Sequence, residues 1–176
     1  MSEAKNVKAD DLDGAEAGVL ILIVEESDKR IGAQVQLMLA NDLRANGILA
    51  AAATLSAGAF ALAASQLGRD GNAHILAASV AIALLAMASG VGATWALWPT
   101  GVDIQGWSPH LFVPDIEAKK SAHRIKAEIA AHNQKKLIDN DACNKKLTRR
   151  IRVAMLLLAA SPLAGGSALL GSVLCG

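Results

Sequence analysis

The sequence predicts an all-α integral membrane protein with three transmembrane helices and a cytoplasmic helical bundle or stalk, and three observations lead there. Of its 176 residues 53% are hydrophobic and 19% charged, and the mean hydropathy is +0.35, an apolar balance for a chain of this length. The apolar residues are also concentrated. Ala45 to Gly68, Gly71 to Trp98 and Ile151 to Gly176 carry no Asp, Glu, Lys or Arg apart from Arg152 at the edge of the last. Each exceeds the roughly 20 helical residues that cross a hydrocarbon core of about 30 Å. The charges, finally, are segregated. Residues 1–45 hold five Lys/Arg against nine Asp/Glu, and residues 99–152 hold eleven against six. A buried core helix of a soluble domain can imitate one such stretch, but three in so short a chain leave too little polar surface to enclose them.

Residues 1–44 read as a cytoplasmic acidic amphipathic helix. Leu20, Val24, Ser27, Ile31, Val35 and Met38 recur every three or four positions and draw one stripe, with no proline before the first span. The helix is expected to begin near Asp13 and run on into the membrane. Its opposite face is acidic and would be repelled by anionic lipid, so the stripe is expected to pack on other cytoplasmic helices or a neighbouring subunit. Residues 45–98 read as a transmembrane helical hairpin around the turn "QLGRDGN". Residues 99–150 read as a cytoplasmic loop and basic helix; from Trp98 the chain runs "WPTGVDIQGWSPHLFVPDIEAKK", which holds three of the four prolines and predicts an irregular loop. Trp95 and Trp98 are interfacial anchors. Around Trp107 two readings stay open, an interfacial hairpin and a small-molecule pocket with an indole face. A basic helix is expected from Asp115 as N-cap, with a stripe through Ala118, Ala122, Ile125 and Ile129 that shifts phase at Leu137 and Ile138 and continues through Ala142 and Leu147. The acidic first helix is expected to lie against it. Residues 151–176 read as the third transmembrane helix, where Pro162 frees a carbonyl near Leu158 and is a candidate hinge.

Lys and Arg in short flanking loops are retained on the cytoplasmic side. Sixteen of the seventeen fall in the N-terminal segment or in residues 99–152, which predicts an N-terminus in the cytoplasm and a C-terminus outside. Arg149, Arg150 and Arg152 then mark the cytoplasmic mouth of the third span. The long polar segment ahead of the first span argues against a cleaved signal peptide. Cys143 and Cys175 fall on opposite sides, so no disulfide is expected between them.

No Gly-rich phosphate loop, nucleophile elbow or paired acidic motif is present, so neither an enzyme, nor catalytic residues, nor a cofactor is expected. His123, His132 and Cys143 do not repeat one helical face, and no metal site is expected. With no Tyr, two Phe and a net charge of +1, sequence-specific nucleic-acid binding is not expected. Spans without Asp, Glu, Lys or Arg inside them disfavour a coupled transporter. Gly90, four residues after Ala86, and Gly165 and Gly166 in the third span let helices approach closely, within one chain or between subunits of a homo-oligomer. Lys119, Lys120, Arg124 and Lys126, with Trp107, form the candidate site for a phosphate-bearing ligand. The competing reading is a basic face paired with the acidic N-terminal helix.

Three stretches carry a resemblance: "ESDKRIGAQVQLMLANDLRANGILAAAATL", "HNQKKLIDNDACNKKLTRRIRVAMLLLAA" and the span exit "LWPTG". Together they cover most of residues 25–170, and in them the chain resembles the transmembrane effector family of the Pycsar systems of bacterial anti-phage defence. Related two-span membrane effectors are similar to its first hundred residues. The resemblance implies a bacterial inner-membrane protein, an oligomeric effector or ion channel that senses a nucleotide second messenger on the cytoplasmic side and permeabilises that membrane. The alternative function is a structural membrane subunit or anchor that recruits a soluble signalling partner.

Overall fold

A computed structural model of the chain describes residues 7–67, 72–98 and 101–175, with side chains described up to residue 167 and not at Pro109. Among the described residues the fold is entirely helical, as the sequence predicts: α1 (Ala17–Leu67), α2 (Ala73–Ala96), the short α3 (Val113–Glu117) and α4 (Ala122–Cys175). The turn around Arg69 and Asp70, the Pro99-Thr100 pair of "LWPTG" and the side chain of Cys175 lie outside the described residues. Two helices, α1 and α2, are long and apolar enough to cross a membrane by length and composition. The stretch read as a third span is the C-terminal part of α4.

The chain divides into two compact units. A polar unit comprises Met1–Leu39 with Thr100–Lys145, and an apolar unit comprises Ala40–Pro99 with Lys146–Gly176. In the polar unit, α1 starts at Ala17 rather than near Asp13. A 3-10 turn, Ala9–Leu12, precedes it, and the carboxylates of Asp10 and Asp13 are turned to an arginine on α4. The stripe on α1 is buried at Leu20, Ser27, Ile31 and Met38, while Val24 and Val35 are half-buried.

The start of α4 corrects the expectation for the basic helix. Asp115 is not its N-cap but lies in the first turn of α3. Pro114 is tolerated there because a first-turn residue needs no intrahelical N–H partner. The chain then leaves the helix through a Schellman-type cap, with the Lys119 N–H on the Ile116 carbonyl and the Lys120 N–H on the Asp115 carbonyl, both at 3.0 Å. Such a cap needs a left-handed residue, and Lys119 supplies it at φ 53°. Helix α4 begins after Ser121, whose Oγ accepts from the Arg124 N–H at 3.2 Å.

The buried face of α4 is also not the expected one. Ala118 and Ala142 are exposed, and Ile125 and Ile129 are only half-buried. The buried positions are Ala127, Ala130, Asn133, Asn140 and Asn144 in the polar unit, and Leu147, Ile151, Ala154, Ser161 and Gly165 in the apolar unit. With the half-buried Leu137 and Leu158 these alternate steps of three and four from Ala130 to Gly165, the spacing that keeps one seam facing a neighbouring helix. In the polar unit the partner is α1: Ser27 meets Asn133, and Gln34 meets Leu137 and Asn144. Both members of each pair advance together along the sequence, so the two helices run parallel there.

In the apolar unit Ala45, Ile48, Ala93, Ala96, Leu147, Ile151 and Ala154 form the core. Small residues let the backbones approach. A Cβ placed on Gly92 would lie 3.4 Å from that of Ala154, and the buried Ser89 hydroxyl donates to the Ala154 carbonyl at 2.7 Å. Gly90 packs against Ala52 and Leu49, and a side chain on Gly165 would run into Ile82, whereas Gly166 faces open space. Pro162 sits inside α4 without interrupting it.

Candidate functional site

The chemistry-bearing residues of the polar unit fall into a helix seam and a loop packed on α4. In the seam the Asn133 amide nitrogen donates to Ser27 Oγ at 3.0 Å and to Asp28 Oδ1 at 2.9 Å. Gln34 Nε2 donates to the Leu137 carbonyl at 3.1 Å, and Asn144 Nδ2 to the Gln34 carbonyl at 3.4 Å. The side-chain oxygens of Gln34, Asn133 and Asn144 are buried without a hydrogen-bond partner. An acceptor in that position costs about 1–3 kcal/mol. The hydrogen bonds from Asn133, Gln34 and Asn144 set the register of α1 against α4.

The loop of residues 101–112 is fastened to the same helix. Asn140 reads one backbone unit twice: its Oδ1 accepts from the Asp103 N–H at 3.1 Å and its Nδ2 donates to the Asp103 carbonyl at 2.9 Å. Lys136 Nζ donates to the Ile104 carbonyl at 3.2 Å and stands 5.1 Å from the centre of the Trp107 ring. Trp107 packs on His132 at 4.6 Å and on Phe112 at 6.2 Å between ring centres. These rings, with Asp115, Ile125 and Glu128, line a cavity of about 180 Å³. The indole N–H is buried and unpartnered.

Burial, then the nearby Lys136 ammonium, holds the His132 pKa below its ordinary value of 6.5. A base with a depressed folded pKa contributes full stability above 6.5 and loses it as pH falls through the folded value, because the unfolded chain takes up the proton first. Stability is therefore expected to decline below pH 6.5, and His132→Gln is expected to flatten that part of a pH series of thermal unfolding curves. An unchanged slope in the variant would assign the decline elsewhere.

Beside the cavity, Glu128 gathers two of the candidate cations. Lys120 Nζ lies 2.7 Å from Asp115 and 2.8 Å from Glu128. The Arg124 guanidinium reaches Asp10 at 2.8 Å, Asp13 at 3.0 Å and Glu128 at 3.1 Å. Hydrogen bonds to Asp10 and Asp13 raise the Arg124 pKa, and those to Asp115 and Glu128 raise that of Lys120. Of the candidates, Trp107, Lys120 and Arg124 thus converge on one place. Lys119 is exposed at the α3–α4 junction and Lys126 is half-buried. The pairs are solvent-accessible, so their value lies in tethering the N-terminal turn rather than in global stability. Arg124→Gln is expected to leave the unfolding midpoint nearly unchanged while making the segment around Asp10 and Asp13 more susceptible to brief proteolysis.

Among the described residues His123 has no carboxylate partner; its Nε2 lies 2.8 Å from the Ala15 carbonyl. Among the described residues no group of three His, Cys, Asp or Glu is placed to hold a metal ion. In the apolar unit Arg150 stacks on the Trp95 ring at 4.4 Å and donates to its carbonyl at 3.1 Å, while Trp98 is exposed. Sequence reasoning weighs His132 only as a metal ligand and does not single out Asn133 or Asn140; the signal that finds the two asparagines is the spacing of Asn133, Asn140 and Asn144 by seven and four. No family model matches the chain, and neither the curated proteins nor the solved structures give a match.

Proposed function

We propose that the chain is an oligomeric inner-membrane effector or channel with three spans, its N-terminus in the cytoplasm and its C-terminus outside, gated by a phosphate-bearing ligand of the nucleotide-messenger class in anti-phage defence. The observation that carries the proposal is that two carboxylates of the Trp107 cavity wall, Asp115 and Glu128, hold Lys120, and that Arg124, on the helix that continues unbroken to Cys175, is shared between Glu128 and the carboxylates of Asp10 and Asp13 in the N-terminal turn. A polyanion would compete with Asp10 and Asp13 for Arg124 and release the turn. Such a ligand shifts the equilibrium only by its difference in affinity for the two states.

The experiment is dye leakage or conductance from cells or vesicles carrying the full chain, with and without a panel of nucleotides. The double variant Asp10→Asn with Asp13→Asn imitates release and is expected to leak without ligand. No leakage from either protein under any nucleotide would end the effector proposal. The anchor reading is favoured by the exposed Ile104, Leu111, Val113 and Ile116 of the polar unit, an apolar surface suited to a soluble partner. A stoichiometric complex with such a partner, without leakage, would select it.

A further inference from the structure

The apolar unit carries an open groove of about 510 Å³ between α1 and α2. Ala52, Ser56, Ala86 and Gly90 line it, and toward the C-terminal end of α2 it is flanked by Trp95 and Trp98. Gly90 keeps the groove deep, since a Cβ there would already be 3.5 Å from that of Ala52. Against the Trp95 ring lies the Arg150 guanidinium, one of whose nitrogens is bound to the Trp95 carbonyl. The remaining N–H groups of Arg150 have no partner among the described residues.

The distribution of charge selects the occupant. Every ion pair among the described residues lies in the polar unit. Lys146, Arg149 and Arg152, on the same helical segment as Arg150, have no carboxylate partner there. From residue 43 to residue 102 the only carboxylate in the sequence is Asp70, and from residue 142 to the end there is none. A second copy docking its spans into the groove would bring apolar surface but, apart from Asp42, no anion to this group of cations. A lipid brings both.

We infer that the groove binds one acyl chain of an anionic phospholipid, with Arg150 donating to its phosphate and Lys146, Arg149 and Arg152 adding to the attraction. The inference rests on the membrane reading above. Trp95 supports Arg150 in place, and indoles at such a level tolerate both hydrocarbon and headgroup. Each cation near an anionic surface favours binding by about 1 kcal/mol, or roughly fivefold.

Tryptophan fluorescence tests it, because the chain has three Trp and no Tyr. The full chain is reconstituted into phosphatidylcholine vesicles containing a minor fraction of either brominated phosphatidylglycerol or brominated phosphatidylcholine. Flotation of the protein with the vesicles is checked first. The expected result is several-fold more effective quenching by the brominated anionic lipid, reduced by about fivefold in Arg150→Gln and largely kept in Arg150→Lys. Equal quenching by the two lipids would overturn the inference and leave the membrane reading standing. Flotation without quenching by either lipid would also overturn it and assign the groove to a second copy. Failure to float would remove both.

Discussion

Asn133→Asp is expected to be the most damaging substitution in the polar unit, lowering its stability by about 3–5 kcal/mol at pH 7. Asn133 is completely buried, and its amide nitrogen donates to Asp28 at 2.9 Å. The substitution replaces that donor with a second carboxylate at hydrogen-bond distance from the half-buried first, at a position that is itself fully buried. Two like charges so placed cannot both ionise, and the pair's upper pKa rises. The damage should therefore be largest at neutral pH and shrink as the pH falls through that raised value, the reverse of the acid sensitivity assigned to His132. Asn133→Ala loses two hydrogen bonds without adding a charge and is expected to cost about 1–3 kcal/mol, with little dependence on pH. Urea unfolding of the three proteins at pH 7 and pH 4.5 would decide. Equal losses for both variants at both pH values would mean that the side chain is not enclosed against Asp28.

Ala154→Leu is expected to have the largest effect in the apolar unit. Ala154 is fully buried in the core, its Cβ at ordinary contact distance from the position of a Gly92 Cβ and its carbonyl accepting from Ser89. Three added heavy atoms have no space to enter, so α2 and α4 must separate or a neighbour must leave its rotamer, at about 1–3 kcal/mol. Separation would also break the Ser89 hydrogen bond. That bond alone is a minor term, and Ser89→Ala is expected to cost only about 0.6 kcal/mol. The comparison sets packing against polar contact in a nearly uncharged helix assembly. Titration of the detergent-solubilised protein with dodecyl sulfate ranks the two, and a larger loss for Ser89→Ala would invert the assignment.

These effects also mark what the sequence discloses. Helical class and the two long apolar helices are legible because hydropathy responds to composition, and Ala45 to Gly68 and Gly71 to Trp98 hold no charge. The stripe on α1 is legible because Leu20, Ile31 and Met38 are apolar and evenly spaced. The seam of α4 is hidden because its buried positions in the polar unit are Ala127, Ala130, Asn133, Asn140 and Asn144, which a hydropathy pattern scores as neutral or polar. The apolar Ile125 and Ile129 draw the eye instead, and they serve the loop cavity around Trp107. Asp115 looks like an N-cap because nothing in "VPDIEAKKSAH" announces that a lysine will take the left-handed turn that glycine usually provides. At the candidate site, the basic residues are visible in the sequence, but their partners are not. Asp10 and Asp13 lie more than a hundred residues from Arg124, and only the parallel run of α1 and α4 brings them together.

The amide seam of the polar unit has a calorimetric consequence. Unfolding raises the heat capacity in proportion to the apolar surface it uncovers and lowers it for polar surface. Opening the α1–α4 contact uncovers amides and a hydroxyl at Ser27, Gln34, Asn133 and Asn144, and hydrocarbon mainly at Leu20, Ile31 and Met38. The two contributions work against each other there, so the free energy of that opening varies little with temperature. Chilling, which weakens contacts made of buried hydrocarbon, therefore acts mainly on Leu20, Ile31 and Met38 and less on the amide positions between them.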